Sequence, residues 1–145
     1  MEGMEQRLSL VTLGVTDLPR ARAFYEGGLE WSGESPDNEV VFYQLPGLVF
    51  AIWGRAELAH DANVTDTGAT FSGMALAYNT RLKEEVDEVL VQAVDAGGTL
   101  LKAAYETSWG GYSGYFADPD GHTWEIAFNP FWDVSAEGYT TLGSP

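Results

Sequence analysis

Two stretches of this sequence carry the same order of elements, and that duplication constrains the fold more than any single motif. Residues 8–15 alternate in the manner of a strand, with Val11, Leu13 and Val15 on one face and Leu10, Thr12 and Gly14 on the other. Asp17 then caps a helix with Pro19 in its first turn, an apolar face of Leu18, Ala21, Phe24 and Tyr25, and a stop at Gly27-Gly28. Three strands follow, at 29–33, 39–45 and 48–53, with turns at Ser35-Pro36-Asp37-Asn38 and Pro46-Gly47. The order then recurs. A strand at 71–78 leads to a helix capped by Asn79 or Thr80, whose buried stripe is Val86, Val89, Leu90, Ala93 and Val94. Strands at 99–102, 112–117 and 123–128 complete the second set. The repeat lies in element order and not in residue identity.

The reading is therefore α+β, with two βαβββ modules forming a curved mixed sheet around a cleft and helices on the outer face. The modules are 8–54 and 71–129, joined by a polar connector at 55–70 in which Ala56–His60 has the pattern of a helical turn. The tail, 130–145, holds Phe131 and Trp132 and is expected to pack its first part on the body. A chain of 145 residues, 45% of them hydrophobic, fits one domain with a substantial core despite its charge.

Composition excludes several function classes. Cysteine is absent, so disulfides, thiolate metal sites and a cysteine nucleophile are excluded together. Twenty-two acids against 7 bases give a net charge of −15, and only Lys83 and Lys102 are lysines. Such a surface repels nucleic acid, which demands clustered Lys and Arg. The charge is also that of a highly soluble protein, or of one that attracts a cationic ligand. No apolar run approaches the ~20 residues of a membrane span, so no membrane partner is expected. Residues 1–7 are too acidic for a secretory signal, which leaves a cytoplasmic protein by default. The run from Gly111 to Tyr115 lacks the second glycine of a nucleophile elbow, and no lysine or helix follows it as a phosphate loop requires.

The chemistry concentrates near the end of the second module. Residues 112–126 read as one hairpin around Asp118-Pro119-Asp120-Gly121, where proline presets φ and glycine supplies a positive one. The second strand of that hairpin is apolar but for one carboxylate, Glu125.

With these residues in view, the chain resembles the vicinal-oxygen-chelate superfamily, which includes glyoxalase I, bleomycin-resistance proteins and extradiol dioxygenases. The resemblance covers nearly all of the chain. It is carried by Thr12-Leu13-Gly14-Val15-Thr16-Asp17-Leu18 with Ala23-Phe24-Tyr25, by Val94–Gly98, and by the run from Phe116 to Ile126. Metal enzymes of that family take ligands from the first and last strand of each half. Carried over, those positions fall on Leu10, Ala51, Gly73 and Glu125.

Only Glu125 has a side chain able to ligate. One carboxylate makes a poor site, because zinc takes three or four protein ligands and hard cations take several oxygens. His122 lies three residues before Glu125 and so points to the opposite face, and His60 sits in the connector. The expectation is no metal and no other cofactor, with a divalent ion disfavoured. If Glu125 faces the cleft, the candidate ligand-binding residues are Leu10, Thr12, Ala51, Trp53, Gly73, Ala75, Thr123 and Glu125, with Trp109 as an aromatic lid. Trp124 should point the other way, toward a helix. Trp31 and Trp132 are assigned to packing or a subunit interface.

Such a cleft suits a small hydrophobic or aromatic molecule, with Glu125 attracting a cationic group. In the rival reading Glu125 is a general base, or one ligand of a metal, in a lyase, isomerase or dioxygenase. The resemblance also implies a homodimer.

Overall fold

The computed structural model describes residues 4, 6, 8–68, 71–72 and 74–142. Each module builds its own four-stranded sheet, and the two have identical topology. In the first, β1 (Leu10–Val15), β2 (Gly33–Glu34), β3 (Val40–Leu45) and β4 (Leu48–Gly54) lie in the order β1-β4-β3-β2. In the second, β5 (Ala75–Asn79), β6 (Thr99–Glu106), β7 (Tyr112–Ala117) and β8 (Thr123–Phe128) lie in the order β5-β8-β7-β6. β1 runs parallel to β4 and β5 parallel to β8, while the remaining pairs are antiparallel. This is the expected α+β architecture, doubled.

Helix α1 (Leu18–Arg22) starts where the Asp17 carboxylate accepts the Arg20 amide at 3.0 Å, with proline in its first turn. It continues as a π-helical segment, Ala23–Gly28. The wider turn carries the adjacent Phe24 and Tyr25 inward together, and both are buried. Gly28 is needed for a close approach, because a Cβ there would collide with Ala96. The strand expected at 29–33 shrinks to Gly33–Glu34. The Tyr25 carbonyl claims the Trp31 amide at 2.9 Å, and Glu30 adopts a positive φ of 64°, which breaks extended backbone.

Other boundaries differ from the sequence reading as well: β6, expected at 99–102, runs on to Glu106. The connector forms a two-turn helix, α2 (Arg55–Ala62), closed by Asn63 in the left-handed region. β5 begins at Ala75 instead of 71. Helix α3 (Glu85–Asp95) begins later than a cap at Asn79 or Thr80 would place it. The Thr80 hydroxyl donates instead to the Leu82 carbonyl, and the Glu85 carboxylate accepts the Leu82 amide at 2.7 Å, so 81–84 is a turn.

In the tail, β9 (Asp133–Val134) pairs with β10 (Thr140–Thr141). It meets the body through Phe131 beside Gly110, through Gly138 and Tyr139 beside Pro46 and Gly47, and through Arg81 donating to the Ser135 carbonyl. Phe131 and Trp132, expected to anchor it, are 65% and 43% exposed.

Both modules share one core. α3 packs on β6, β7 and β8, and α1 packs on β4. Alternation along each strand decides which side chains join it: Val41, Tyr43, Phe50, Ile52, Trp124 and Ile126 point in, and their neighbours point out. Trp124 is the bridge. It stacks on Phe116 at 5.9 Å between ring centroids and also meets Phe50 of the first sheet at 5.9 Å and Tyr25 at 6.4 Å.

Candidate functional site

The two sheets meet through their core faces, so the candidate residues sit on the other face of each sheet, where Ala51, expected to contact a ligand, is fully buried. Register fixes the first group. Leu10, Val49 and Gln44 form one row across β1, β4 and β3, as do Thr12, Ala51 and Phe42, and Gly14, Trp53 and Val40. Residues directly opposite one another share a face, so Leu10, Thr12, Ala51 and Trp53 come together as expected from the pattern.

A cavity of about 1010 Å³ lies over this sheet, lined by Leu10, Phe42 and Val49 with Glu34, Gln44 and Trp31 at its polar and aromatic edge. The last three and Phe42 escaped the sequence reading. The alternation of 40–45 could have revealed Phe42 and Gln44, since Val41 and Tyr43 are the buried partners. A second hollow of about 400 Å³ is formed by Trp53 with Ala56, Glu57, His60 and Asp61 of α2.

The second group surrounds Glu125. Trp124 and Ile126 on either side of it go to the core, so Glu125 is turned to the open face and is half-buried. Ala77, Glu125, Tyr115 and Lys102 form one row across β5, β8, β7 and β6. Ala75 and Thr123 occupy the neighbouring row with Ala117. The Tyr115 phenol stands beside the Glu125 carboxylate in this row. Burial, and then the Glu125 charge, hold the Tyr115 phenol above the ordinary tyrosine range. The Lys102 ammonium lies 4.1 Å from the centroid of the Tyr105 ring. The surroundings of Glu125 are thus more polar than the apolar pocket read from sequence.

Trp109 belongs to the loop between β6 and β7, is 45% exposed, and has its ring folded against Gly111 of the same loop. Gly73 lies outside the described residues. None of the described cavities unites Glu125 with the open face of the first sheet.

The Asp-Pro-Asp-Gly turn does more than close a hairpin. Asp118 accepts the Tyr25 hydroxyl at 2.8 Å and the amides of Asp120 and His122 at 2.9 Å each. Asp120 accepts the Thr16 amide and hydroxyl and pairs with Arg20 at 3.1 Å. His122 Nε2 lies 2.6 Å from the Gly14 carbonyl oxygen, which places it away from Glu125 as expected. These bonds tie the turn of one module to the end of β1 in the other. Burial pushes the Asp118 carboxyl above its ordinary value.

Two buried tyrosines, Tyr25 in the inter-module tie and Tyr43 beside Glu26, give the fold a pH signature. Burial first, and then the Asp118 charge and hydrogen bond, raise the Tyr25 phenol well above its usual value. Burial followed by the Glu26 hydrogen bond raises Tyr43. The folded protein keeps both protons at a pH where an unfolded chain loses them, near 10. Their contribution is therefore complete below about pH 10 and is lost as pH climbs toward the raised folded values. Urea midpoints are expected to fall from pH 9 to pH 11, with a shallower fall in Tyr43→Phe. An unchanged slope in that variant would remove Tyr43 from the account.

The profile of the Glyoxalase/Bleomycin resistance protein/Dioxygenase superfamily matches residues 7–126. The chain belongs to this superfamily. Among solved structures, a glyoxalase-related enzyme from Fulvimarina pelagi is 42% identical, over 97% of this chain and 100% of that one, with a TM-score of 0.89. A glyoxalase/bleomycin resistance protein/dioxygenase family enzyme from Burkholderia phytofirmans PsJN is 25% identical, over 83% and 96%, with a TM-score of 0.69. A lactoylglutathione lyase from Agrobacterium tumefaciens shares the fold at 22% identity, over 89% and 98%, with a TM-score of 0.67. No curated protein matches the chain.

For a superfamily whose metal enzymes draw ligands from four strand positions, the residues here do not fit an ion. Leu10, Ala51 and Gly73 carry no donor atom in their side chains. Among the described residues, no group of three His, Asp or Glu side chains is placed to hold one. Among the same residues, no helix is long and apolar enough to cross a membrane.

Proposed function

We propose that this superfamily member binds a small hydrophobic or aromatic molecule, cationic ones foremost, and does so without a metal. The observation that carries this reading is the make-up of the cavity over the first sheet. It is apolar across its floor, through Leu10, Phe42 and Val49, with Glu34 and Gln44 at its edge. Its volume of about 1010 Å³ is at the upper end of the range for small-molecule sites. Aromatic contact supplies affinity, and a carboxylate orients a cationic group.

The reading includes a homodimer. The open faces of the two sheets are separate within one chain, and Leu10 is 45% exposed and Phe42 37% exposed at the centre of the first. A second copy that lays its Glu125 face over that cavity would complete the cleft. Light scattering is then expected to give twice the 15.8 kDa chain mass.

Titrating the protein with cationic aromatic dyes, followed by tryptophan fluorescence, is expected to give saturable quenching. Phe42→Ala should weaken it about ten-fold, because the aromatic contact at the cavity floor would be lost. Absence of saturable quenching by every dye would defeat the proposal.

A second reading is an enzyme: a lyase, isomerase or dioxygenase. It draws support from the 42% identical Fulvimarina pelagi relative, which is described as a glyoxalase-related enzyme. Glu125 would be its general base or contribute to a metal site. Glu125→Gln would then abolish turnover while leaving ligand affinity nearly intact.

A further inference from the structure

We propose that the open face of the second sheet selects a zwitterion, whose ammonium group meets Glu125 and whose carboxylate meets Lys102, with its flat body lying over Tyr115. The inference rests on the binding reading above and narrows the ligand class.

The first observation is the state of Lys102. In a chain of 22 acids and 7 bases a cation is expected to find a carboxylate. Arg20, Arg22, Arg55 and Lys83 do, and Arg81 bonds the Ser135 carbonyl. Among the described residues Lys102 is the one basic side chain with no oxygen partner. It is held over the Tyr105 ring, exposed on the open face. A cation–π contact orders an ammonium while leaving its N–H donors available to an incoming anion.

The second observation is its alignment. Lys102, Tyr115 and Glu125 are successive members of one row across three neighbouring strands. Adjacent strands are ~4.8 Å apart, so the two charged residues stand roughly 10 Å apart with a tyrosine between them. That span exceeds an ion pair between them and matches a ligand carrying opposite charges at its two ends. Irregularities in β6 on both sides of Lys102 interrupt the regular ladder there, a device that re-aims side chains at strand edges.

The third is preparation of the other end. Tyr115 stands next to Glu125 across β7 and β8, while Ala77 on the far side of Glu125 adds no bulk above the row. Glu125 retains unused lone pairs for an ammonium.

The test uses the full chain and three probes in calorimetric titrations: 4-(aminomethyl)benzoate, benzylamine and 4-methylbenzoate. The zwitterion should bind at least about five-fold tighter than either singly charged probe, the value of one additional partly exposed charge pair. Lys102→Met should remove its advantage over benzylamine. Glu125→Gln should remove its advantage over 4-methylbenzoate. Circular dichroism identical to that of the parent confirms that both exposed-face variants are folded.

Equal affinity for the zwitterion and benzylamine would overturn the inference, as would an advantage that survives Lys102→Met. Binding of none of the three, alongside saturable dye quenching, overturns the zwitterion while sparing the binding reading. Loss of dye quenching as well defeats both.

Discussion

Asp118→Ala is expected to cost about 3–5 kcal/mol of unfolding free energy, measured as a shift of the urea midpoint at neutral pH. Asp118 is 3% exposed and serves three donors: the Tyr25 hydroxyl and the amides of Asp120 and His122. Removing the carboxylate strands the buried Tyr25 hydroxyl and frees two part-buried amides, at about 1–3 kcal/mol for a fully buried donor. The Tyr25 hydroxyl also accepts from Trp124 Nε1 at 3.3 Å, so the disturbance reaches the bridge between the sheets. Asp118→Asn is the discriminating companion. Its carbonyl oxygen still accepts the two amides, and its amide nitrogen can donate to the tyrosine once that hydroxyl rotates. The Asn variant should cost about 1 kcal/mol, as one rearranged hydrogen bond does. Equal losses in both variants would show that charge, and not the geometry of acceptance, holds the turn.

Trp124→Ala carries the other large effect, about 3–5 kcal/mol, as expected when a large aromatic leaves a packed core. Its ring touches both modules, through Phe116 on its own sheet and Phe50 on the other, with Trp31 at 6.2 Å. The cavity left behind would lie between two sheets that are held apart by the same side chains that would have to collapse into it. Trp124→Phe should recover more than half of the loss, since a smaller ring preserves the stack on Phe116. Trp109→Ala is the control: that ring is 45% exposed in a loop, and its loss should stay near 0.5 kcal/mol. Two separate unfolding transitions in Trp124→Ala would show that the modules fold independently once the bridge is gone.

Much of this architecture was legible in the strands. Period-two alternation correctly sent Trp124 inward and Glu125 outward. It also grouped Leu10, Thr12, Ala51 and Trp53 on one face before any pairing was known. Helix ends were less legible. Asp17 behaves as a cap because its carboxylate finds a local amide, whereas Thr80 of the same capping chemistry spends its hydroxyl on Leu82 and yields a turn. Glu30 gave no local sign of the positive φ that shortens β2, because that conformation follows from how the π-helical segment ends. Trp31 was invisible as a cavity residue for the same reason, and Glu34 falls between the strand expected at 29–33 and the turn that starts at Ser35.

By itself the sequence determined the α+β class, the duplicated module and the face to which the residues of its located strands belong. These are consequences of side-chain chemistry and of periods of two and 3.6 residues, which are written locally. Only the tertiary structure decided that the core faces of the two sheets meet each other around Trp124 and Tyr25, leaving the candidate residues on the other face of each sheet. It alone also decided that Lys102 stands in one row with Tyr115 and Glu125. Periodicity states that a face must be covered, but what covers it is the sum of contacts between residues distant along the chain, such as Asp118 with Tyr25 and His122 with Gly14.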